Sequence, residues 1–449
     1  MSELRDRRVV VMGLGRFGGG VGVARFLARQ GARVLVTDLQ PAGKLEASLA
    51  ELKGAANLEL RLGEHVAQDF AEADLVVVSP AVDPRENAYL QAAVKGGAEL
   101  TSEIRLLVEH LPTGARTIGI TGTAGKSTTT AMVGCALERM ADSLPGRPKV
   151  FVGGNLGGSL LGRVDEIGDG DWVVLELSSF MLEGLGEAGW SPEIAAVTNF
   201  SPNHLDRHGT LEAYAEAKQQ LFAHQDATRG VAVFGPGTSG RFEPRTGRVT
   251  RCELADVRDM QRLDLLVPGE HNQVNAQMAL AIIRAADLDC ELATRAIEAF
   301  PGLPHRLELV GEQGGVRFYN DSKCTTPGAA MLAVESFQPG RVHLIAGGYD
   351  KGSDLRPLAV HAAKRCRAVY TIGSTGDAIA GAAERSRGTA EVVRCGELER
   401  AVAEASERAR EGEVVLLSPA CASWDQFENY EARGSAFAEA VKQQATAAG

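Results

Sequence analysis

The stretch TIGITGTAGKSTTTA, residues 117–131, carries the strongest chemical signal in the chain. An apolar run enters Gly122-Thr123-Ala124-Gly125, and Lys126, Ser127 and Thr128 then open a helical segment rich in Thr and Ala. Successive backbone N–H groups at a helix N-terminus make a pocket for phosphate anions. Lys126 adds a point charge for the β- and γ-phosphates, and the Ser127 hydroxyl can ligate Mg2+. The strict G-x-x-x-x-G-K-[ST] spacing fails because position 120 is Ile, which makes the loop a G-T-x-G-K-S variant. A Gly-rich turn with a stray lysine is the plain alternative. The order of strand, loop, lysine, hydroxyl and helix favours phosphate.

Other polar residues stand where strands end. Glu176 leaves the apolar run of VVLELSSF. A carboxylate there, in the same sheet as the phosphate loop, can hold Mg2+ directly or through water. Alone, it reads as an ordinary strand-end glutamate. In NFSPNHLDRHGTLEAYAEAKQQLF, residues 199–222, His204 follows a strand and Lys218 lies on the next helix. A lone loop histidine reads as polar surface and a lone helical lysine as a solvated face, and periodicity promotes neither. Further on, PHRLE carries Arg306, and YNDSKCTTP carries Asp321, Lys323 and Thr325. AGGYDKGSDL places Lys351 in a Gly-rich turn, and LLSPACASWDQFENYEARG brings Ser423, Trp424 and Tyr430 after the last strand. Parallel sheets bind ligands at the C-terminal ends of their strands. Each residue could be turn chemistry, but three basic residues at such positions fit an anion-rich site.

A second glycine pattern opens the chain. In VVVMGLGRFGGGVGVARFLARQG, residues 9–31, Gly13, Gly15 and Gly18 fit G-x-G-x-x-G, and Asp38 ends the next apolar run 20 positions past Gly18. This is the dinucleotide-binding (Rossmann) fingerprint, and it admits an NAD(P)-dependent oxidoreductase.

The elements that must position these residues are short buried-type strands alternating with helices. Such a pattern means mostly parallel sheets covered on both faces. RVVVMGLG, ARVLVTD and ADLVVVSP read as strands of a first unit, which a helix in SEIRLLVEHLP closes. The phosphate-loop strand, DWVVLELSSF and IAAVTNFSP belong to a second, and GEHNQVNAQMALAIIRAA is a helix. Residues 235–262 read as irregular. FPGLPHRLELVGEQ, residues 300–313, holds two prolines and reads as a linker. Four strand–helix repeats follow, on RVHLIAGGYD, AVYTIGS, AEVVRCG and EVVLLSPA. The expectation is an α/β chain of three domains, near 1–107, 108–303 and 304–449, each with a mostly parallel sheet. The first is Rossmann-like, the second P-loop ATPase-like and the third Rossmann-like.

Bulk properties agree. At 449 residues the chain exceeds what one core supports, since single cores stop growing near ~250–300 residues. The net charge of −11 argues against a nucleic-acid binder, while local fields still permit an anionic substrate. Seven scattered cysteines with no C-x-x-C suit a reducing cytosol. No run approaches ~18 apolar residues, so no membrane insertion is expected, and a cytoplasmic location is.

Taken together, GTAGKST, ELSSF, NHLDRHG with AYAEAK, GEHNQVNA, LPHRLE, NDSKCTTP and SPACASWDQFENYEARG resemble the Mur ligase family, in order and through nearly the whole chain. The last two segments resemble its D-glutamate-adding branch. The resemblance implies ATP-dependent joining of D-glutamate to UDP-N-acetylmuramoyl-L-alanine through an acyl phosphate, in peptidoglycan precursor synthesis, by a monomer. Bringing polyanions together needs concentrated positive charge. Water would destroy an acyl phosphate, so domain closure is expected. By motif, Gly122, Thr123, Ala124, Gly125, Lys126, Ser127 and Thr128 hold ATP and, with Ser127, a first Mg2+. Glu176 and His204 serve Mg2+, His204 at a second ion. Lys218 matches the family's carbamylated lysine, whose carboxylate-like group holds that ion. Asn272, Arg306 and Asp321 match nucleotide positions, and Lys323 lies near the transferring phosphate. Asn155 in GGNLG stands near the muramoyl substrate, and Gly15 and Asp38 belong to the UDP end. Thr325, Lys351, Ser423 and the backbone at Tyr430 match the D-glutamate pocket, since a dicarboxylate needs a basic residue and hydroxyls.

Four departures stand out. Ala124 replaces the family's usual Asn, which removes a side-chain contact but leaves the backbone cradle. The first Gly loop is one residue longer, and Leu39-Gln40 stand where some members have Thr and Arg. Trp424 and Tyr430 replace the commoner Leu and Phe. The alternatives to the D-glutamate reading are another Mur or folylpolyglutamate-type ligase, the oxidoreductase above, or an inactive homologue. The diaminopimelate-adding branch's DNPR-type motif is absent, and the set of Lys126, Glu176, His204 and Lys218 argues against lost activity.

Overall fold

Runs of Val, Ile and Leu form central strands buried on both faces, and most parallel neighbours are joined through a helical crossover. The computed structural model describes residues 4–15, 19–79, 82, 86–238, 240–252 and 262–447. The first sheet comprises β1 (Arg8–Met12), β2 (Arg33–Asp38), β3 (Leu58–Leu62), β4 (Leu75–Val78) and β5 (Glu99–Thr101), in the order β3-β2-β1-β4-β5. The second comprises β6 (Arg116–Thr121), β7 (Val150–Gly154), β8 (Trp172–Glu176), β9 (Ile194–Val197), β10 (Val231–Phe234) and β11 (Val249–Arg251), in the order β11-β10-β9-β6-β8-β7. Both are parallel throughout.

The third sheet comprises β12 (Glu308–Gln313), β13 (Val316–Asn320), β14 (Val342–Gly347), β15 (Ala368–Ile372), β16 (Glu391–Gly396) and β17 (Val414–Leu417), in the order β12-β13-β17-β14-β15-β16. It is parallel except for the β12–β13 pair. That pair corrects the linker reading of 300–313. The prolines at 301 and 304 end before β12 begins, and Gly314-Gly315 makes a tight hairpin with both φ positive, at 54° and 75°. Likewise β11 lies within the stretch read as irregular. The four strand–helix repeats fall where the sequence put them, at β14 to β17.

The chain divides into two compact units, Met1–Gln261 with Asn275–Ile297, and Arg262–Val274 with Glu298–Gly449. Within the first, the two sheets share one continuous apolar core that runs from Phe26, Leu27 and Leu107 to Phe151, Leu161, Val173 and Leu182. Within the second, apolar layers cover the third sheet on each side, around Leu344 and Leu358 and around Tyr370 and Phe437. Among the described residues no helix is long and apolar enough to cross a membrane.

Candidate active site

At its C-terminal end β6 runs into the phosphate loop, and the helix Lys126–Met140 follows. Two glycines are obligatory there. Gly122 has φ +147°, and a Cβ on it would lie 2.0 Å from Thr198 Oγ1. Gly125 caps the helix at φ +77°, and a Cβ would lie 2.3 Å from Asn275 Oδ1. Asn199 clamps the loop at Ala124: its Oδ1 accepts from Ala124 N at 2.9 Å and its Nδ2 donates to Ala124 O at 2.9 Å. Thr198 Oγ1 donates to the same carbonyl at 2.7 Å. The loop's shape therefore rests on the main chain at position 124, which tolerates alanine. Ser127 and Thr128 stand half-buried in the helix's first turn, where backbone N–H groups favour anions.

Lys126 Nζ donates to Gly122 O and Thr123 O, each at 3.0 Å. Lys218 reaches the same loop from the helix Leu211–Ala223, which Thr210 caps by accepting from Ala213 N. The solvated-face reading of Lys218 is corrected, because the residue is only 1% exposed. Tyr214, Ala217, Lys218, Leu221 and Phe222 form the helix's buried stripe at i, i+3, i+4, i+7 and i+8, so the lysine falls inside the apolar face. Its Nζ donates to Thr121 Oγ1 at 3.1 Å and Gly122 O at 3.0 Å and sits 4.8 Å from the Tyr214 ring centroid. Burial, and next the charge of Lys126, lower its pKa to about 7.

Glu176 ends β8 beside Ile120 of β6 and is 1% exposed. Its Oε1 accepts from Asn155 Nδ2 at 2.8 Å, while Oε2 is buried with no hydrogen-bond partner. An orphaned carboxylate oxygen suits a hard cation. Among the described residues no group of three or more His, Cys, Asp and Glu is placed to hold a metal. His204 is exposed, with φ +52°, and packs edge-on against Phe180 at 5.2 Å and Tyr214 at 6.2 Å. Tyr214 thus touches His204 and Lys218, and its hydroxyl lies 3.4 Å from Thr123 Oγ1. Sequence reasoning gave no role to Tyr214, Thr198 or Asn199. Tyr214 was visible in AYAEAK, four residues before Lys218.

In the opening glycine loop Gly13 and Gly15 have φ of 96° and 67°. Asp38 is 8% exposed, and its carboxylate accepts from Leu14 N at 2.9 Å, Gly15 N at 3.0 Å and Gln40 N at 2.7 Å. It braces the loop from within. Gly18 lies outside the described residues.

The second unit gathers Asp321, Lys323, Thr325, Lys351 and Ser423 on the loops after β13, β14 and β17, and Tyr430 at the start of the helix Tyr430–Ala447. Arg433 pins these loops. It is 1% exposed and donates to Ser322 Oγ at 3.0 Å, Ser322 O at 2.8 Å, Cys421 O at 3.0 Å and Ala422 O at 3.1 Å. Tyr349 N also donates to Ala422 O at 2.8 Å. Ser423 is buried, whereas Lys323 and Lys351 are exposed, each with Nζ over an aromatic ring, Tyr430 at 5.1 Å and Trp424 at 4.4 Å. Asp321 accepts from Ser418 Oγ at 2.7 Å, and burial pushes its pKa up to about 6. The Arg306 charge pulls Asp321 the other way, which places Arg306 within its electrostatic reach. Asn272 is buried and donates to Pro268 O at 2.7 Å. Arg433 was missed because nothing in its spacing announces contacts 111 residues away.

Residues 7–102 match the MurD-like N-terminal domain of Mur ligases, 120–235 the Mur ligase middle domain, and 305–421 the Mur ligase glutamate ligase domain. The chain is 38% identical over 99% of both chains to the UDP-N-acetylmuramoylalanine–D-glutamate ligase of Koribacter versatilis. It is 40% identical to that of Anaeromyxobacter dehalogenans, again over 99% of both. Among solved structures, the UDP-N-acetylmuramate–alanine ligase of Thermotoga maritima shares the fold at a TM-score of 0.62 and 19% identity, covering 98% of this chain and 100% of that one. The MurF ligase of the same organism, solved with ADP, gives 0.56 and 15% over 99% and 97%. With three domain matches in order and relatives of this identity over its full length, the chain belongs to the Mur ligase family.

Proposed function

We propose that the chain is an ATP-dependent ligase that adds D-glutamate to UDP-N-acetylmuramoyl-L-alanine in peptidoglycan precursor synthesis, acting in the cytoplasm as a monomer. The observation that carries the reading is the meeting of Lys126 and Lys218 at the Gly122 carbonyl, with the orphaned oxygen of Glu176 at the end of the adjacent strand β8. The curated relatives' shared name supports the substrates. Residues 1–107 hold the UDP end, with the Gly15 backbone at the diphosphate and Asp38 at the uridine side. Residues 108–303 bind ATP, and residues 304–449 bind the amino acid.

In this reading, the loop 122–128 cradles the phosphates and Lys126 exchanges its carbonyl partners for γ-phosphate oxygens. Asn272, Arg306 and Asp321 hold the nucleotide, and Asn155 the muramoyl moiety. The substrate carboxylate takes the phosphoryl group, and Lys323 neutralises charge on it as it transfers. Thr325, Lys351, Ser423 and the Tyr430 backbone hold D-glutamate, whose amine attacks the acyl phosphate and expels phosphate. The neutral amine that Lys218 offers near pH 7 can add CO2, forming an N–C bond and releasing a proton to give a carbamate. Ser127, Glu176, His204 and that carbamate would hold two Mg2+ ions, which when bound screen the phosphate charge.

A phosphate-release assay with ATP and UDP-N-acetylmuramoyl-L-alanine against a panel of D- and L-amino acids tests the reading. Only D-glutamate should support turnover. Equal turnover with another amino acid refutes the substrate assignment, and tight NADH binding would revive the oxidoreductase.

A further inference from the structure

Lys351 is a cation without an anion. Among the described residues it forms no ion pair, and its ammonium instead stands 4.4 Å from the Trp424 ring centroid. Neither Asp350 nor Asp425 pairs with it. Asp350 accepts from Gly352 N at 2.7 Å, and Asp425 from Ser374 N at 2.8 Å. Trp424 is itself backed by Tyr349 at 5.5 Å, and the two rings are 60% and 42% exposed. The two rings therefore lie open to an approaching ligand. The loops that carry them are fixed. Tyr349 and Ala422 form a backbone bridge, Arg433 holds Ala422 O, and a Cβ on Gly348 would stand 2.3 Å from that oxygen.

We propose that Trp424 is a positioning residue for Lys351, fixing its ammonium beside Ser423 so that it receives the side-chain carboxylate of an acidic amino-acid substrate. The inference rests on the reading of this unit as the amino-acid side. The physical reason is a difference between two ways of fixing a lysine. A carboxylate partner would consume the charge and have to be displaced by substrate. A ring face restrains the flexible stem yet leaves the ammonium's N–H donors and net charge available. Tyr349 keeps the indole from turning away.

Steady-state kinetics on the whole enzyme tests this. Trp424→Ala should raise KM for D-glutamate about two- to fivefold, the range of an exposed cation–π contact. It should leave kcat and the KM for ATP in place. Trp424→Phe, which keeps a ring, should restore most of the loss. In a Lys351→Ala background Trp424→Ala should add nothing, because its effect runs through the lysine. An unchanged or lowered KM for D-glutamate overturns the proposal, as does an equal shift in the KM for ATP. So does a full effect persisting without Lys351. A wild-type enzyme inert toward D-glutamate overturns the ligase reading and this proposal with it. An active wild type whose KM ignores Trp424 overturns this proposal alone.

Discussion

Lys126 and Lys218 donate to one acceptor: both ammonium nitrogens lie 3.0 Å from the carbonyl oxygen of Gly122. Two like charges at one carbonyl raise each other's energy, and the buried partner yields first. Burial of Lys218, at 1% exposure, and next the charge of Lys126 lower its pKa to about 7. In the proposed reaction, Lys126 would meet the nucleotide and the neutral amine of Lys218 would take up CO2.

Lys126→Ala should abolish turnover with the fold intact. The γ-phosphate loses its lysine, and removal of a single preorganised charge or donor at a transition state commonly lowers kcat by about 10²–10³-fold. The loop keeps its shape because Asn199, Thr198 and the two glycines hold it independently. Circular dichroism and the melting temperature should match wild type. A near-normal kcat would remove the phosphate-loop assignment.

Lys218→Ala should lose activity for a different reason, the missing carbamate. Short-chain carboxylic acids or bicarbonate should restore part of it by supplying an anion in the vacated space. In wild type the neutral amine predominates above about pH 7, so CO2-depleted buffer should lower activity, and added bicarbonate should recover it faster at pH 8 than at pH 6. Rescue absent under all these conditions leaves Lys218 as a structural amine.

Much of this was legible in sequence, and the illegible part has a physical pattern. Strand-end residues such as Glu176 and Asp321 announce themselves because apolar runs end on them. The burial of Lys218 was missed, although Tyr214, Ala217, Leu221 and Phe222 mark an apolar stripe on its helix that could have revealed it. The β12–β13 hairpin was signalled by Gly314-Gly315, but the prolines before it drew the linker too far. Asn199 and Arg433 were not readable. Their partners lie 75 and 111 residues away, and a polar side chain that bonds backbone leaves no periodicity. Asp38 shows the limit of a motif: it completes the dinucleotide fingerprint, yet its carboxylate braces the glycine loop itself.

Arg433→Lys should destabilise the protein by about 2–4 kcal/mol. The substitution leaves the buried carbonyls of Ser322 and Cys421 short of donors in a site where a lysine lacks the guanidinium's fork, while Ala422 O keeps Tyr349 N. The KM for D-glutamate should rise with it, because the loops bearing Ser423 and Lys351 lose a common anchor. Denaturant unfolding and kinetics on the same preparation check both. Wild-type stability would show that the loops hold without it.

Lys351→Ala should raise the KM for D-glutamate well above any change in the KM for ATP, by about tenfold or more, because a charge-assisted hydrogen bond to a carboxylate is lost. Equal effects on both substrates would move Lys351 out of the amino-acid pocket.

Asp321→Asn should stabilise the protein while weakening nucleotide binding. Burial raises the folded-state pKa of Asp321 from an ordinary 3.8 to about 6. The folded chain therefore holds its proton more tightly than the unfolded one. Stability falls as pH rises from about 4 through 6, and the full penalty, at most about 3 kcal/mol, is present above that window. Asparagine does not titrate, and its side-chain oxygen can still accept from Ser418 Oγ. The variant should melt above wild type at pH 7–8, with the gap closing toward pH 4, while the KM for ATP rises. A gap that is constant with pH would mean that Asp321 does not titrate in this range. A gap that widens toward pH 4 would reverse the sign of its burial.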